Sequence, residues 1–415
     1  MDRKAAYLHQ KEGKRTKKLC KKTDITDIRT ILPWVEECIR RHKKRHDFRK
    51  LLIEHGLTAS AYEYGITKHD YASWDGTIYS IAADAAQRIY EGSLDLKRPT
   101  IATRVDGASG KVRQIGCESA MQQVFDFIAV NASMPVFERR MVAQQASSVE
   151  GRGQIYGVRL IRRWAMKNAA GMEYAERHGY HVRNRMKYFV KLDVEQCFQS
   201  CRMEVFLRYF ERDCGNRDII WLWEELLKTH QVDPEHQGFM IGALTSQWAA
   251  QYLLGFAYQF AMDYKEVRRD GRLVKPVTHM IMFMDDMMLS GPNRHALVRV
   301  VRALCAYMRD GFGLTIKPHW QIQKFDEDHG IDMMGFVVYP SGKVEIRSRD
   351  WIKVRRMIIR AQKQKYKVSY KQAKRLTSYK GYIIHSDSKR IKKMYPAAAV
   401  FRAAAKTVSN KEKEK

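Results

Sequence analysis

The chain has 415 residues, 45% hydrophobic and 11% aromatic, which is enough to bury a sizeable core and excludes wholesale disorder. Its 75 Lys and Arg against 46 Asp and Glu leave a formal charge of +29, pointing to a polyanionic partner, nucleic acid ahead of an anionic membrane. No apolar run reaches membrane-spanning length and no apolar segment follows the basic N-terminus, so neither a membrane span nor a secretory signal is expected.

Residues 1–22 read as a flexible segment. From Asp24 to Ile66 the pattern is helical, broken at Pro33, and residues 70–95 read as further helix. The period then changes: Thr100–Val105 and Lys111–Ile115 read as two strands about a turn at Asp106–Gly110. Helix returns over 117–141, a Gly-rich loop covers 146–157, and Tyr188–Val194 reads as a short buried strand. Helical patterns cover 204–230, and a loop at 236–247 leads into a helix from Trp248 to Tyr264. "HMIMFMDDMMLSG", His279 to Gly291, reads as a hairpin of buried strands with Asp285 and Asp286 at its tip, followed by a helix over 294–310. Residues 331–349 read as another hairpin with Gly342 near its turn. Two basic helices, 350–365 and 370–385, come next, the first with Trp351, Val354, Met357 and Ala361 on one face. The final "KEKEK" reads as a solvated tail, and no internal repeat is visible.

The cationic charge lies at the two ends. Residues 343–415 hold 23 Lys and Arg against 5 Asp and Glu, residues 1–50 hold 17 against 7, and the rest nets only +1. Such ends suit a polyanion. The seven cysteines are irregularly spaced, and Cys197 and Cys201 have no matching Cys/His pair nearby, so reduced buried thiols are expected rather than a metal site.

An Asp pair at a hairpin tip could be no more than a solvated turn, since Asp bonds its own backbone there. "VKLDVEQCFQS" adds a third carboxylate, Asp193, at the end of an apolar strand, where a carboxylate is costly unless paired or bound to metal. Three converging carboxylates repel one another, and two divalent cations relieve that repulsion. Mg²⁺ suits hard oxygen ligands and leaves positions open for substrate phosphates.

In order along the chain, these motifs resemble those of reverse transcriptases of the prokaryotic non-LTR kind. "SGKVRQI" resembles the fingers motif, "VKLDVEQCFQS" the first palm motif and "MIGALTSQW" the template-and-nucleotide motif. "FMDD" resembles the Tyr-x-Asp-Asp hairpin, "GLTIKPHWQ" the lysine-bearing motif and "DMMGFVVYP" the primer-gripping hairpin. The resemblance spans residues 98 to 390. It implies an α+β fold shaped as a right-hand polymerase, with fingers, an antiparallel-sheet palm and a helical thumb. The segments are a basic helical extension at 1–97, fingers at 98–185, palm at 186–342, basic thumb at 343–407 and a flexible tail at 408–415.

The resemblance also implies roles. Asp193 and Asp285 are the main metal ligands, Asp286 stands beside the metals, and the Val194 carbonyl completes one shell. Phe198 is a steric gate selecting dNTPs. Lys111 and Arg113 hold the β- and γ-phosphates, Gly242 lets backbone approach substrate, and Gln247 contacts nucleotide or template. Lys317 is either a proton donor to pyrophosphate or a surface lysine. The cofactor is a pair of Mg²⁺ ions, for which Mn²⁺ can substitute. The partners are an RNA template of the structured non-coding kind, a DNA primer or product and dNTPs, with no membrane and with room for a protein partner or homo-oligomer. A cytoplasmic, prokaryotic setting follows.

Two positions depart from the family pattern: Phe283 stands where Tyr is usual, and Ser246–Gln247 replaces Ser-Pro. The Ser-Gln form is similar to that of diversity-generating retroelement enzymes and some defence-associated relatives. "QQASSVEGRGQ" resembles a fingers/palm segment of the same clade and fits either a nucleic-acid contact or a tight turn. About thirty residues follow the thumb-like helices, so no RNase H, integrase or endonuclease domain is expected. The leading expectation is a polymerase copying a partner RNA in phage defence. The alternatives are a diversity-generating retroelement enzyme and a non-catalytic RNA-binding scaffold. Residues 1–97 match no motif and are expected to bind the RNA.

Overall fold

The computed structural model describes residues 17–58, 71–105, 112–230, 238–268, 270–387 and 397–413. Lys111, the turn at 106–110 and residues 1–16 lie outside them. The architecture is mixed helix and sheet. Helices α1 (Ile28–His42), α2 (His46–Glu54) and α3 (Tyr71–Glu91) precede strands β1 (Thr100–Val105) and β2 (Val112–Cys117). Helices α4 (Ala120–Ala132), α5 (Met134–Arg140) and α6 (Gln154–Arg177) lead to β3 (Tyr188–Asp193). Then come α7 (Cys197–Ser200), α8 (Met203–Asp213), α9 (Arg217–Lys228), α10 (Leu244–Asp263) and strands β4 (Glu266–Val267) and β5 (Leu273–Val274). Strands β6 (His279–Phe283) and β7 (Asp286–Gly291), helix α11 (Arg294–Phe312) and β8 (Ile322–Lys324) follow. The chain continues through β9 (Ile331–Met333), β10 (Phe336–Val338) and β11 (Val344–Ile346) to α12 (Ser348–Lys363), α13 (Tyr370–Ile384) and α14 (Ala397–Lys413).

Two compact units share these elements. The first comprises Met1–Val142, Val194–Ala257 and Tyr307–Thr315. Apart from strands β1 and β2, its regular elements among the described residues are helices, and α5, α8, α9 and α10 share an aromatic core. Phe206 and Trp223 lie 4.9 Å apart and Phe137 and Tyr252 5.9 Å apart. All four are fully buried, and Trp223 Nε1 donates to Ser133 Oγ at 2.8 Å, so the indole's one polar group is satisfied. Asp27 caps α1 by accepting from Arg29 N at 3.0 Å. Pro33 sits inside α1 and does not break it; the interruption falls at 43–45. A proline forfeits one backbone bond, but the buried stripe Ile31, Val35, Cys38 and Ile39 holds the helix through it.

The second unit comprises Ala143–Asp193, Tyr258–Ala306 and Ile316–Lys415. Its centre is an antiparallel sheet in the order β6–β7–β3–β8. Phe189, Ile281 and Met288 of this sheet join Val158, Ile161 and Ala165 of α6 and Phe336 of β10 in one buried cluster. The 331–349 segment is a three-stranded meander, β9–β10–β11, where a single hairpin was expected. Met334 and Gly335, at φ +56° and +84°, make an extra tight turn inside a run that reads as continuous strand. The basic end holds three helices instead of two. Val354, Ile358 and Ala361 of α12 and Leu376 of α13 pack with Val400 and Phe401 of α14, and Trp351 and Met357 pack against them. Helix α14 runs to Lys413, so 408–413 is helical where a tail was expected.

Candidate active site

Strand β3 carries Asp193 to its end because Phe189, Val190 and Leu192 bury it in the sheet. Antiparallel pairing with β7 sets Asp193 directly opposite Asp286, so both side chains leave the same face. On the other side Asp286 pairs with Phe283, which leaves Met284 and Asp285 as a two-residue turn. Met284 takes φ +52°, the left-handed backbone such turns need and a non-glycine residue adopts at a cost of roughly 1–2 kcal/mol.

Three bonds hold that turn. Ser147 Oγ accepts from Met284 N at 2.9 Å, Met282 N donates to Gln144 O at 3.0 Å, and Ala146 N donates to Met282 O at 2.8 Å. The "QQASS" stretch is therefore a backbone brace along β6. Arg152, in the same segment, donates to Gln145 O at 3.4 Å. Sequence reading singled out this stretch but not Ser147, whose role depends on a partner 137 residues away.

The electrostatics are those of crowded carboxylates. Asp286 reaches solvent, yet its carboxyl is held above the ordinary range, first because surrounding protein thins its hydration and then because Asp285 and Asp193 are charged beside it. Lys191 and Arg347 oppose that rise. Lys317 Nζ lies 2.5 Å from Asp193 Oδ1, and Lys317 N donates to Asp193 O at 2.9 Å. The Asp193 contact, with Asp285 and Asp286 farther off, raises the Lys317 ammonium above its usual value and keeps it charged.

Among the described residues no group of three or more His, Cys, Asp or Glu is arranged to hold a metal ion by itself. Mg²⁺ does not need one, because one or two carboxylates plus substrate phosphates suffice. The donor set is hard oxygen, its mutual repulsion already raises one carboxyl, and its leading member already holds a cationic group, which is the chemistry a divalent cation would answer.

The other expected site residues belong to the first unit. Val194 is buried, and Phe198 is half-buried on α7 with its carbonyl accepting from Phe239 N at 2.7 Å. Gly242 takes φ +123°, and a Cβ there would meet Gly116 O at 2.6 Å. Gly116 N donates to Ile241 O at 2.8 Å, so β2 docks on this turn and glycine is required by both backbone and space. Gln247 is half-buried in the first turn of α10. Arg113 is exposed on β2, and Arg104 stands opposite it on β1. Like charges across a strand pair are unfavourable unless an anion joins them, so Arg104 and Arg113 together make a candidate position for an anion.

A buried polar cluster supports the 242–247 turn. Asp126, fully buried, accepts from Leu244 N at 3.1 Å and from Thr245 N and Oγ1 at 3.3 and 3.2 Å, capping α10 from another helix. His230 Nε2 lies 3.3 Å from Glu118 Oε1, and Ser246 Oγ 3.2 Å from His230 Nδ1. Burial lowers His230 to about 4, raises Glu118 to about 7 and raises Asp126 well above the carboxylate range. Sequence reading missed all three residues, because Glu118, Asp126 and His230 each fall inside or beside an ordinary helical pattern.

This cluster makes stability pH-dependent. Glu118 keeps its proton to about pH 7 when folded, whereas its ordinary value is 4.5. Between those limits the folded state binds more protons than the unfolded one, so this carboxyl's contribution falls as pH rises through that window. Glu118→Gln cannot ionise, so its stability relative to the parent is expected to be on the order of 2 kcal/mol greater at pH 8 than at pH 5 in urea melts. Equal differences at the two pH values would place the titration elsewhere.

No protein-family model matches the chain, and no curated protein matches it. Among solved structures it is similar to the apo telomerase of Candida tropicalis, at 11% identity and TM-score 0.36, over 77% of this chain and 68% of that one. It is also similar to telomerase from Candida albicans in complex with the TWJ fragment of telomeric RNA, at 10% identity and TM-score 0.38, over 98% of this chain and 87% of that one. Among the described residues no helix is long and apolar enough to cross a membrane.

Proposed function

We propose that the chain is an RNA-directed DNA polymerase that extends a primer 3′-OH with dNTPs. The observation that supports this best is Asp193 standing in register opposite Asp286, with Asp285 in the turn beside it and Lys317 on Asp193. In this reading a primer 3′-OH attacks the α-phosphate of a dNTP and pyrophosphate leaves. Two Mg²⁺ ions, or Mn²⁺, held by Asp193, Asp285 and Asp286, would supply Lewis-acid stabilisation of the phosphoryl oxygens. Lys317 stays protonated and serves as donor to the leaving group. Arg104 and Arg113, with Lys111, hold the triphosphate through charge-assisted hydrogen bonds. The turn at Gly242 and Gln247 admits nucleotide or template. The three basic helices α12–α14 grip a duplex through phosphates and shape, because a polymerase must accept every sequence.

The test is direct. Purified protein is given labelled dNTPs or rNTPs with Mg²⁺ and a supplied RNA template and DNA primer, alongside Asp285→Ala/Asp286→Ala. Incorporation of dNTPs by the parent alone supports the reading, and sequencing product made on co-purified nucleic acid identifies the native template. Incorporation by neither favours a non-catalytic scaffold.

Phe198 is the sugar gate in this reading. Phe198→Ala keeps the backbone bond from Phe239 and removes only the ring, so discrimination against rNTPs is expected to fall by about 10²-fold, measured as the ratio of kcat/KM for dGTP and GTP. An unchanged ratio would move the gate to another residue.

A further inference from the structure

The C-terminal end of α6 carries a feature that nucleotide transfer does not use. Tyr174, His178 and Tyr180 form a stack of three rings. The Tyr174–His178 centroids are 4.1 Å apart at 26°, and the His178–Tyr180 centroids 6.4 Å apart at 12°. Tyr174 and Tyr180 are 60% and 65% exposed, so the outer ring faces are open to solvent. Local backbone bonds fix the stack. Tyr180 N donates to Ala175 O at 2.8 Å and Gly179 N to Glu176 O at 3.3 Å, with Gly179 at φ +69°, the paired bonds of a Schellman cap. His178 Nδ1 lies 2.8 Å from Tyr174 O, which holds the middle ring. The rings are therefore ordered before anything binds.

Cations flank the stack along the chain. Arg177, Arg183, Arg185 and Lys167 are exposed, and so is Arg268 on the β4–β5 hairpin of the same unit. Arg177 is paired with Glu173. Among the described residues Arg183 and Arg185 make no ion pair, while Arg268 feels the charge of Asp270, a carboxylate that Arg272 already grips at 2.6 Å. Arg183 is held below its usual value by partial loss of hydration and by the Arg268 charge, so the two guanidinium groups lie within electrostatic reach of one another. Exposed aromatic rings beside arginines that outnumber their carboxylates are the two components of a single-strand binding surface: bases stack on the rings and the backbone phosphates meet the cations.

We propose that Tyr174, His178 and Tyr180, with Arg183 and Arg268, form a binding surface for unpaired nucleotides of a single-stranded nucleic acid. A duplex does not fit this chemistry, because its bases are already stacked on one another and present only edges and phosphates. The surface requires no step of nucleotide transfer, so it stands or falls independently of the polymerase reading.

The test uses the full chain and fluorescein-labelled 20-mers of oligo(U), oligo(dT) and an RNA duplex, followed by anisotropy over a salt series without nucleotides. Tyr174→Leu/Tyr180→Leu keeps apolar bulk and removes the rings. It is expected to weaken single-strand binding at least about fivefold, the low end of losing one stacked base, and to leave duplex binding unchanged. Arg183→Gln/Arg268→Gln is expected to reduce the slope of log K against log salt by about 1.4 on single strands. Comparing the oligo(U) and oligo(dT) arms tells whether RNA or DNA is the natural strand. With 4-thiouridine in oligo(U), photocross-links should fall in the tryptic peptides NAAGMEYAER and HGYHVR, which carry Tyr174 and Tyr180. Absence of cross-links there, parental affinity in the leucine variant, or an equal loss on duplex would each overturn the proposal. All four residues are exposed, and matching thermal melts separate loss of binding from loss of fold.

Discussion

Asp213→Ala is expected to cost about 3–5 kcal/mol of stability, a large share of what holds a domain together. Its side chain is fully buried at the end of α8. Arg140 grips it with two bonds, Nε to Oδ2 at 2.6 Å and Nη2 to Oδ1 at 2.9 Å, and Tyr252 Oη donates to Oδ2 at 2.9 Å. Arg139 and Arg212 stand at 3.3 and 3.6 Å. Burial alone would raise this carboxyl; the Arg140 bonds and charge outweigh it, so the group ends below its ordinary 3.8. Its contribution is therefore present above the unfolded value and is lost as pH falls through the depressed folded one. Truncating Asp213 leaves Arg140, stacked 4.9 Å over Phe256, as a desolvated charge without its main counterion. Urea melts of Asp213→Ala and of Asp213→Leu/Arg140→Leu provide the check. The double variant, which also removes Arg140, the most buried of the three guanidinium groups around Asp213, should lose less than the single one. A single variant within 1 kcal/mol of the parent, on the scale of an exposed pair, would mean that water replaces the carboxylate freely.

Asp193→Asn is expected to lower dNTP incorporation by about 10³-fold with little change in melting temperature. The amide keeps the shape and an acceptor for Lys317, and β3 stays in register because its pairing is backbone. What is lost is the charge that would hold a divalent cation. Several kcal/mol of transition-state stabilisation at 1.36 kcal/mol per decade gives the stated factor. Single-turnover extension on a fixed primer–template separates this from weakened substrate binding. Near-parental extension by Asp193→Asn would contradict the metal-ligand role, and equal losses in Lys317→Met and Asp193→Asn would show that the ion pair itself matters.

Much of the second unit was legible because its signals are local. The apolar run before Asp193 and the paired runs around Asp285 and Asp286 each announce a strand, and a two-residue turn leaves one simple register. The face of α12 was legible for the same reason, with Ile358 completing the stripe. What could not be read depends on distant partners. Arg104 becomes notable only once β1 and β2 are in register, and Ser147 only once residues 144–146 lie along β6. Glu118, Asp126 and His230 look like scattered helix-surface residues until α4 packs beneath the 242–247 turn. The long helix α6 escaped detection because its buried stripe is narrow, Val158, Ile161 and Ala165, among arginines and lysines that mask the period. The meander at 331–346 escaped because its extra turn joins Met334, which carries no turn signal, to one lone glycine, Gly335, inside an otherwise apolar run.

The order in which the sheet's strands occur along the chain has a consequence for how the protein is made. Strand β3 pairs with β7 and with β8, matching Val190 to Leu289 on one side and to Ile322 on the other. During synthesis β3 leaves the ribosome long before either partner and has no neighbour of its own sheet until β7 follows. A newly emerged β3 thus exposes two unpaired strand edges while the intervening helices fold, a state open to pairing with other chains. Closing such distant pairings is slow, since chain entropy must be lost before any contact rewards it. Slowed translation or chaperone capacity during the release of residues 194–324 would therefore govern the yield of active protein more than the stability of the finished fold.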